Sequence, residues 1–315
     1  MEMAQQVIYP AGKSLSWLPV TTLASGVELR LPLHHVVGAH PGPVLGITAG
    51  IHGDEYLPME VVRQVVTGLD PSSLHGSVLA IPVANPLAFE AQTRNTPHDM
   101  VNLNRVFPGD PNGWLTEQLA SVICERYLPR IECLIDLHCG GAQPTVDYAY
   151  ILNDEAMSRA FGFESLYLPP HPYEGTLTEA AVPKGIRCVV VEMGGGMLAN
   201  DSYIARGIQG VHNVMKHLGM IQGEPVVPAH QTVVHNMHIM RPHCGGLLYP
   251  SLKVEDIGTV VPKGTLLGSV VSPYTFETLE EMHAPFERNL MILLRGAITR
   301  VYPGDYAYMI AEVAA

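Results

Sequence analysis

A run of about 18 apolar residues, the length needed to span a bilayer, is missing from this chain of 315 residues. So are any cluster of basic residues and any Cys-x-x-Cys pair. The amino terminus, MEMAQQVIYPAGKSLSW, has no basic segment followed by an apolar stretch, so the chain reads as soluble, cytoplasmic and not exported. Basic residues number 18 against 30 acidic ones, a formal charge of −12. That balance makes nucleic acid and anionic membrane surfaces poor partners, and neither is expected. The five cysteines (Cys124, Cys133, Cys139, Cys188, Cys244) are an odd number and lie mostly within apolar runs, as reduced thiols do. With 15% charged and 47% apolar residues, the chain has ample core for one large domain, or a large and a small one.

What is present is a series of short apolar runs that stop at polar or glycine residues: VLGITAGI (Val44 to Ile51), SVLAIPVANP (Ser77 to Pro86), CLIDLHCGG (Cys133 to Gly141) and CVVVEMGGG (Cys188 to Gly196). Helical spacing follows or separates some of them, from Tyr56 to Val66, Thr116 to Tyr127 and Ala199 to Leu218. Continuous apolar strands alternating with helices predict an α/β fold, a sheet flanked by helices on both faces. Chemistry in such sheets gathers beyond the strand ends, where His52, His138 and Glu192 fall. After about Gln222 helical periodicity fades into short β-type runs, so residues 1–222 are expected to form the main domain and 223–315 a small all-β domain. An echo between VPKGTLLG (Val261 to Gly268) and VYPGDYAY (Val301 to Tyr308) suggests two similar halves there.

Zinc catalysis needs about three N or O ligands and an open position for water. HGDE offers His52 and Glu55 at i, i+3, from a strand end and a first helical turn; a first-turn carboxylate favoured by the helix dipole is the plainer alternative. DLHCGG offers His138, with Asp136 two residues earlier on the same strand face and able to orient it. In VVVEMGGG, Glu192 ends a buried run, a costly place for a carboxylate without a partner. Beside a water on zinc it can take and return a proton, although hydrogen bonds from the glycine loop would also satisfy it. The polar loop TRNTPHDMVNLNRVFPG (Thr93 to Gly109) carries Arg94, Asn102, Asn104 and Arg105 in a chain short of cations. A guanidinium can polarise a carbonyl, and an Asn-Arg pair can clamp a carboxylate.

In the order HGDE, Arg94 with NLNRVFPG, DLH and VEMGG, these pieces resemble the succinylglutamate desuccinylase and aspartoacylase family, relatives of the zinc carboxypeptidases, over about residues 40 to 220. The resemblance implies a zinc-carboxypeptidase-like mixed sheet and one Zn²⁺ per chain on His52, Glu55 and His138, with Glu192 as general base and Arg94 as the carbonyl-polarising arginine. It assigns Asn104 and Arg105 to the substrate. The later β region is similar to that family's carboxy-terminal domain, which narrows access and favours a small N-acyl substrate carrying a carboxylate. One departure concerns the arginine that in aspartoacylases precedes the base by about ten residues; the stretch TEAAVPKGIRCVVVE offers Val182 instead. Aspartate-type substrates are thereby disfavoured.

Rival readings are weaker. A metallocarboxypeptidase would use the same residues on short peptides, and a non-catalytic metabolite-binding relative would keep the fold without a productive water. The V-x-x-G echo also resembles biotinyl and lipoyl carriers, but no lysine follows Lys263 to carry a swinging arm. His235, His238, His243 and Cys244 form a second cluster, in which period-two alternation puts His235 and His238 on opposite faces. No G-x-S-x-G elbow and no dinucleotide or phosphate fingerprint occurs. A homodimer is compatible with the sequence.

Overall fold

The computed structural model describes residues 11–195 and 200–313. Gly196 and Ala199, which the sequence reading included in a glycine turn and a helix, lie outside them. The chain begins with a hairpin, β1 (Gly12–Thr22) and β2 (Glu28–Val37). In β2, Leu29, Leu31 and Leu33 are buried while Glu28 and Arg30 are exposed, the period-two pattern of a strand with one covered face. Next come β3 (His40–Thr48), α1 (Tyr56–Gly68), β4 (His75–Ile81), α2 (Pro86–Ala91) and α3 (Leu115–Val122). They are followed by β5 (Cys133–His138), β6 (Thr145–Tyr150), α4 (Glu155–Phe161), β7 (Ser165–Tyr167), α5 (Leu177–Ala181), β8 (Arg187–Gly194) and α6 (Asn200–His217).

At the centre β4, β3, β5 and β8 run parallel. All of β5 is buried, because helices cover both faces of the sheet. Val61, Val62 and Val65 of α1 with Val211, Val214 and Met215 of α6 pack on one face. Leu87, Leu119, Ala120 and Leu177 pack on the other. A strand covered on both faces needs no polar alternation, which is why these strands read as continuous apolar runs. The mixed α/β architecture therefore stands as expected, and β6, antiparallel to β8, makes the sheet mixed.

The described carboxy-terminal segment holds β9 (Thr232–Val234), β10 (Met237–Met240), β11 (Gly246–Pro250), β12 (Val260–Pro262), β13 (Leu266–Val271), β14 (Thr278–His283), β15 (Arg288–Leu293), β16 (Thr299–Val301) and β17 (Tyr308–Glu312). Four of these strands form a separate sheet in the order β14-β13-β11-β16. The others extend the large sheet, whose order is β1-β2-β4-β3-β5-β8-β6-β15-β17-β10. The junction is slender: β15 meets β6 at Leu293 and Thr145, and β9 lies beside β7. The two echo sequences each turn at a glycine with positive φ, Gly264 at +77° and Gly304 at +87°, a conformation glycine adopts without a Cβ clash. They lead into β13 and β17, which belong to different sheets. No described helix is long and apolar enough to cross a membrane, and none of the five cysteines is in a disulfide.

Candidate metal centre and substrate cavity

The parallel register sets the site. His138, the last residue of β5, pairs with Glu192 of β8, and Glu192 in turn pairs with Tyr148 of β6, so three polar side chains stand in one row on one sheet face. Thr48 of β3 pairs with Asp136 in the row below. His52 lies in the turn after β3, where Gly53 is required: a Cβ there would come within 2.0 Å of the Ala88 backbone. Glu55 occupies the N-cap of α1, one position before the first turn anticipated for it. An N-cap side chain ordinarily accepts a backbone N–H of its own helix, and Glu55 makes no such bond because its carboxylate is turned toward the histidines.

One oxygen of Glu55 lies 2.6 Å from His52 Nδ1 and the other 3.0 Å from His138 Nδ1. The ligand atoms of His52, Glu55 and His138 all fall within 4.8 Å of one another, and all three residues are buried. Each imidazole presents its other nitrogen to an oxygen: His138 Nε2 to Asp136 Oδ2 at 3.1 Å, and His52 Nε2 to Asn102 Oδ1 at 3.2 Å. Asp136 is held in turn by the Thr48 hydroxyl, which donates to Oδ1 at 2.6 Å. Two Nδ1 atoms converging on one carboxylate, with both Nε2 atoms braced from behind, is a donor set that fits a divalent cation.

The charges of the cluster are interdependent. Burial lowers the pKa of His52. Burial also pulls His138 down, but the Asp136 and Glu55 carboxylates more than offset it and hold the imidazole well above its usual range. Burial pushes Glu55 up, yet the two imidazoles prevail and keep its carboxyl far below the ordinary value. Glu192, lining the cavity beside them, is pushed up to about 8 by burial and by the Glu55 carboxylate. Full ionisation of Glu192 at neutral pH thus calls for positive charge in the cluster.

Of the loop residues anticipated at the site, Arg94 reaches it directly, with one guanidinium nitrogen 3.3 Å from Glu55 Oε1 and half of its side chain exposed. Asn102 has two tasks, since its Oδ1 also accepts the Asn104 N–H at 2.8 Å. Asn104 Oδ1 accepts the Leu177 N–H at 3.0 Å and so docks the loop on α5. Arg105 donates to the Asn104 carbonyl at 2.6 Å, and its backbone is packed so tightly on Gly175 that a Cβ there would come within 2.2 Å of the Arg105 carbonyl. Arg94, Asn104, Arg105, His52, His138 and Glu192 all line one cavity of about 1190 Å³.

Three findings differ from the sequence reading. His235 lies between β9 and β10, so strand alternation does not govern its separation from His238. Among the described residues only His52, Glu55 and His138 form a group able to hold a metal. Cys139, one of the cysteines within apolar runs, packs in the core and, beyond that, donates its backbone N–H to Glu55 Oε2 at 3.3 Å and lines the cavity. The third was missed: residues remote in sequence, among them Tyr148, Arg241, Arg295 and Tyr306, share that cavity. Tyr148 was within reach, because TVDYAY alternates in step with a strand next to VVVE; for Arg295 and Tyr306 no local signal exists.

Comparison with known proteins gives a consistent picture. The family model described as the succinylglutamate desuccinylase/aspartoacylase catalytic domain matches residues 41–218, more than half of the chain. N-alpha-acetyl-L-2,4-diaminobutyric acid deacetylase of Halomonas elongata is 29% identical over 296 residues, covering 88% of this chain and 84% of the relative. Among solved structures, a succinylglutamate desuccinylase from Silicibacter sp. TM1040 aligns with a TM-score of 0.84 at 25% identity over 98% of both chains. The product-bound ectoine utilization protein EutE (DoeB) from Ruegeria pomeroyi aligns with a TM-score of 0.85 at 25% identity, again over 98% of both.

Proposed function

Since the chain belongs to the succinylglutamate desuccinylase/aspartoacylase family, we propose that it is a zinc-dependent amidohydrolase that removes the acyl group from a small N-acyl amino acid. The observation that carries this reading is the convergence of His52, Glu55 and His138 within 4.8 Å of one another, next to Glu192, the strand partner of His138. Those three residues would hold one zinc ion. When bound, zinc supplies Lewis acidity and a water of lowered pKa.

The rest is work for the chain's own groups. Glu192 takes the proton of the attacking water and returns it to the leaving nitrogen. Arg94 directs its remaining guanidinium N–H groups at the carbonyl oxygen as negative charge develops there. Arg105 takes a substrate carboxylate, with the Asn104 amide beside it. Asp136 and Asn102 keep both imidazoles turned so that Nδ1 faces the cluster. In this division residues 1–222 carry the reaction and 223–315 close the cavity.

The leaving amine is proposed to be a diamino acid, and the substrate named for the Halomonas relative, Nα-acetyl-L-2,4-diaminobutyrate, is the first to assay. Val182, where aspartoacylases carry an arginine, lines the cavity together with Glu179, so this wall offers no grip for an aspartate side chain. The test is a purified protein with its zinc content measured, assayed on N-acetyl amino acids and short peptides. Stoichiometric zinc, hydrolysis of the N-acetyl diamino acid, and an inactive Glu192→Gln variant that keeps its zinc are the expected results. Preferential cleavage of peptides would favour the carboxypeptidase reading. Absence of turnover on every substrate, with zinc loaded, would favour a binding protein.

A further inference from the structure

The described residues lining the cavity include four arginines, Arg94, Arg105, Arg241 and Arg295, although the chain has only 18 basic residues. Three of the four are visibly engaged. Arg94 is on Glu55, Arg105 donates to the Asn104 carbonyl, and Arg241 donates to the Gly304 carbonyl while its guanidinium lies 4.3 Å from the Tyr306 ring centroid. Arg295 differs. Its one hydrogen bond among the described residues runs from Nε to the Tyr306 carbonyl at 2.7 Å. Its two terminal nitrogens have no acceptor among the described residues, the side chain is half-buried, and burial lowers its pKa. The acid closest in its electrostatics, Asp305, already accepts the Tyr302 N–H at 2.9 Å.

Its terminal nitrogens stay open toward the cavity that Arg295 lines, so an incoming carboxylate can complete the fork without displacing a protein partner. Nε pinned to a carbonyl fixes the plane of the fork, so the geometry for a bidentate carboxylate is set before a ligand arrives. The position suits that task. Leu293 pairs with Thr145, which pairs with Gly194, two residues beyond Glu192, so Arg295 emerges past the strand end on the side where the cavity opens. We propose that Arg295 is a specificity-determining residue, whose terminal nitrogens grip the same substrate carboxylate as Arg105, from the carboxy-terminal wall of the cavity. The carboxy-terminal segment then selects the substrate as well as narrowing the approach to it. This inference rests on the amidohydrolase reading only for the identity of the ligand.

The test compares Nα-acetyl-L-2,4-diaminobutyrate with its carboxamide, in the zinc-loaded protein and in Arg295→Met, Arg295→Lys and Arg105→Met. The parent should prefer the acid. Arg295→Met should raise KM for the acid by about 10- to 100-fold, the worth of a charged hydrogen-bonded pair, with kcat and the kinetics on the carboxamide nearly unchanged. Arg295→Lys should recover only part of the preference, because an ammonium lacks the fork. The proposal is overturned if Arg295→Met loses acid and amide equally, if it keeps the parent preference, or if only Arg105→Met abolishes it. Calorimetric titration of the same two compounds into Glu192→Gln reads that preference without turnover. An absent activity and an idle Arg295 are therefore separate outcomes.

Discussion

Two of the chain's groups of histidines invite comparison as cation sites, and among the described residues only one has the geometry to hold a cation. His52 and His138 are each about 2% exposed, share the Glu55 carboxylate, and have both ring nitrogens engaged. His243, in the carboxy-terminal group with His235, His238 and Cys244, has a side chain 93% exposed and faces one acid, Glu280, at 2.9 Å. In sequence the second group is the denser one. What separates them is delivery: β3, β5 and the start of α1 bring their side chains to one point from covered elements, whereas the other histidines sit on or between short strands. Proximity along the chain counts for little when the side chains diverge, and a buried convergence of charges persists only where each has its counter-charge.

The comparison breaks most decisively at His138. Replacing it by Ala removes one of the three proposed ligands and leaves Glu55 and Asp136 without the imidazole between them. The expected outcome is loss of bound zinc by elemental analysis and activity at background. If His138→Ala retains stoichiometric zinc, the ligand assignment is wrong. Glu192→Gln should come next, lowering kcat by about 10²- to 10⁴-fold, as loss of a general base does, with zinc content intact. Asp136→Asn should act on the metal more than on chemistry. It keeps the shape but weakens the brace on His138 Nε2, so zinc affinity measured by chelator competition should fall by about 10- to 100-fold.

Much of the first group is legible without coordinates, because each of its residues sits at the end of a short apolar run or just past one: His52 after VLGITAGI, His138 within CLIDLH, Glu192 within VVVE. Local patterning gives the strands, and the parallel register brings the three together. The reading falls short where pairing is remote. Nothing near Leu293 indicates that it meets Thr145, so the joining of β15 and β17 to the large sheet stayed hidden, and with it the presence of Arg295 and Tyr306 in the cavity. The hairpin β1–β2 went unassigned although LRLPL alternates cleanly. The N-cap position of Glu55 was likewise missed, because a carboxylate there ordinarily serves the helix, and only contact with two imidazoles redirects it.

The smallest effect is expected in the second group, and it sharpens the contrast. Glu280 is largely covered, with its side chain 17% exposed, and accepts the His243 N–H at 2.8 Å and the Cys244 N–H at 3.4 Å besides the imidazole. Burial pushes its pKa up, but the His243 ring and these N–H groups prevail and hold the carboxyl below its usual value. Because the folded-state pKa is depressed, the carboxylate contributes stability that is present above the unfolded value near 4.5 and is lost as pH falls through the lower folded value. His243→Ala removes only the exposed imidazole, so it should cost less than about 1 kcal/mol and leave zinc content and kcat/KM unchanged. Glu280→Ala also strands the two backbone donors and should lower Tm further at pH 7, by a margin that shrinks toward pH 4. Thermal melts of both variants at the two pH values decide the point. A loss of zinc in His243→Ala would mean that the exposed histidines take part in metal binding after all.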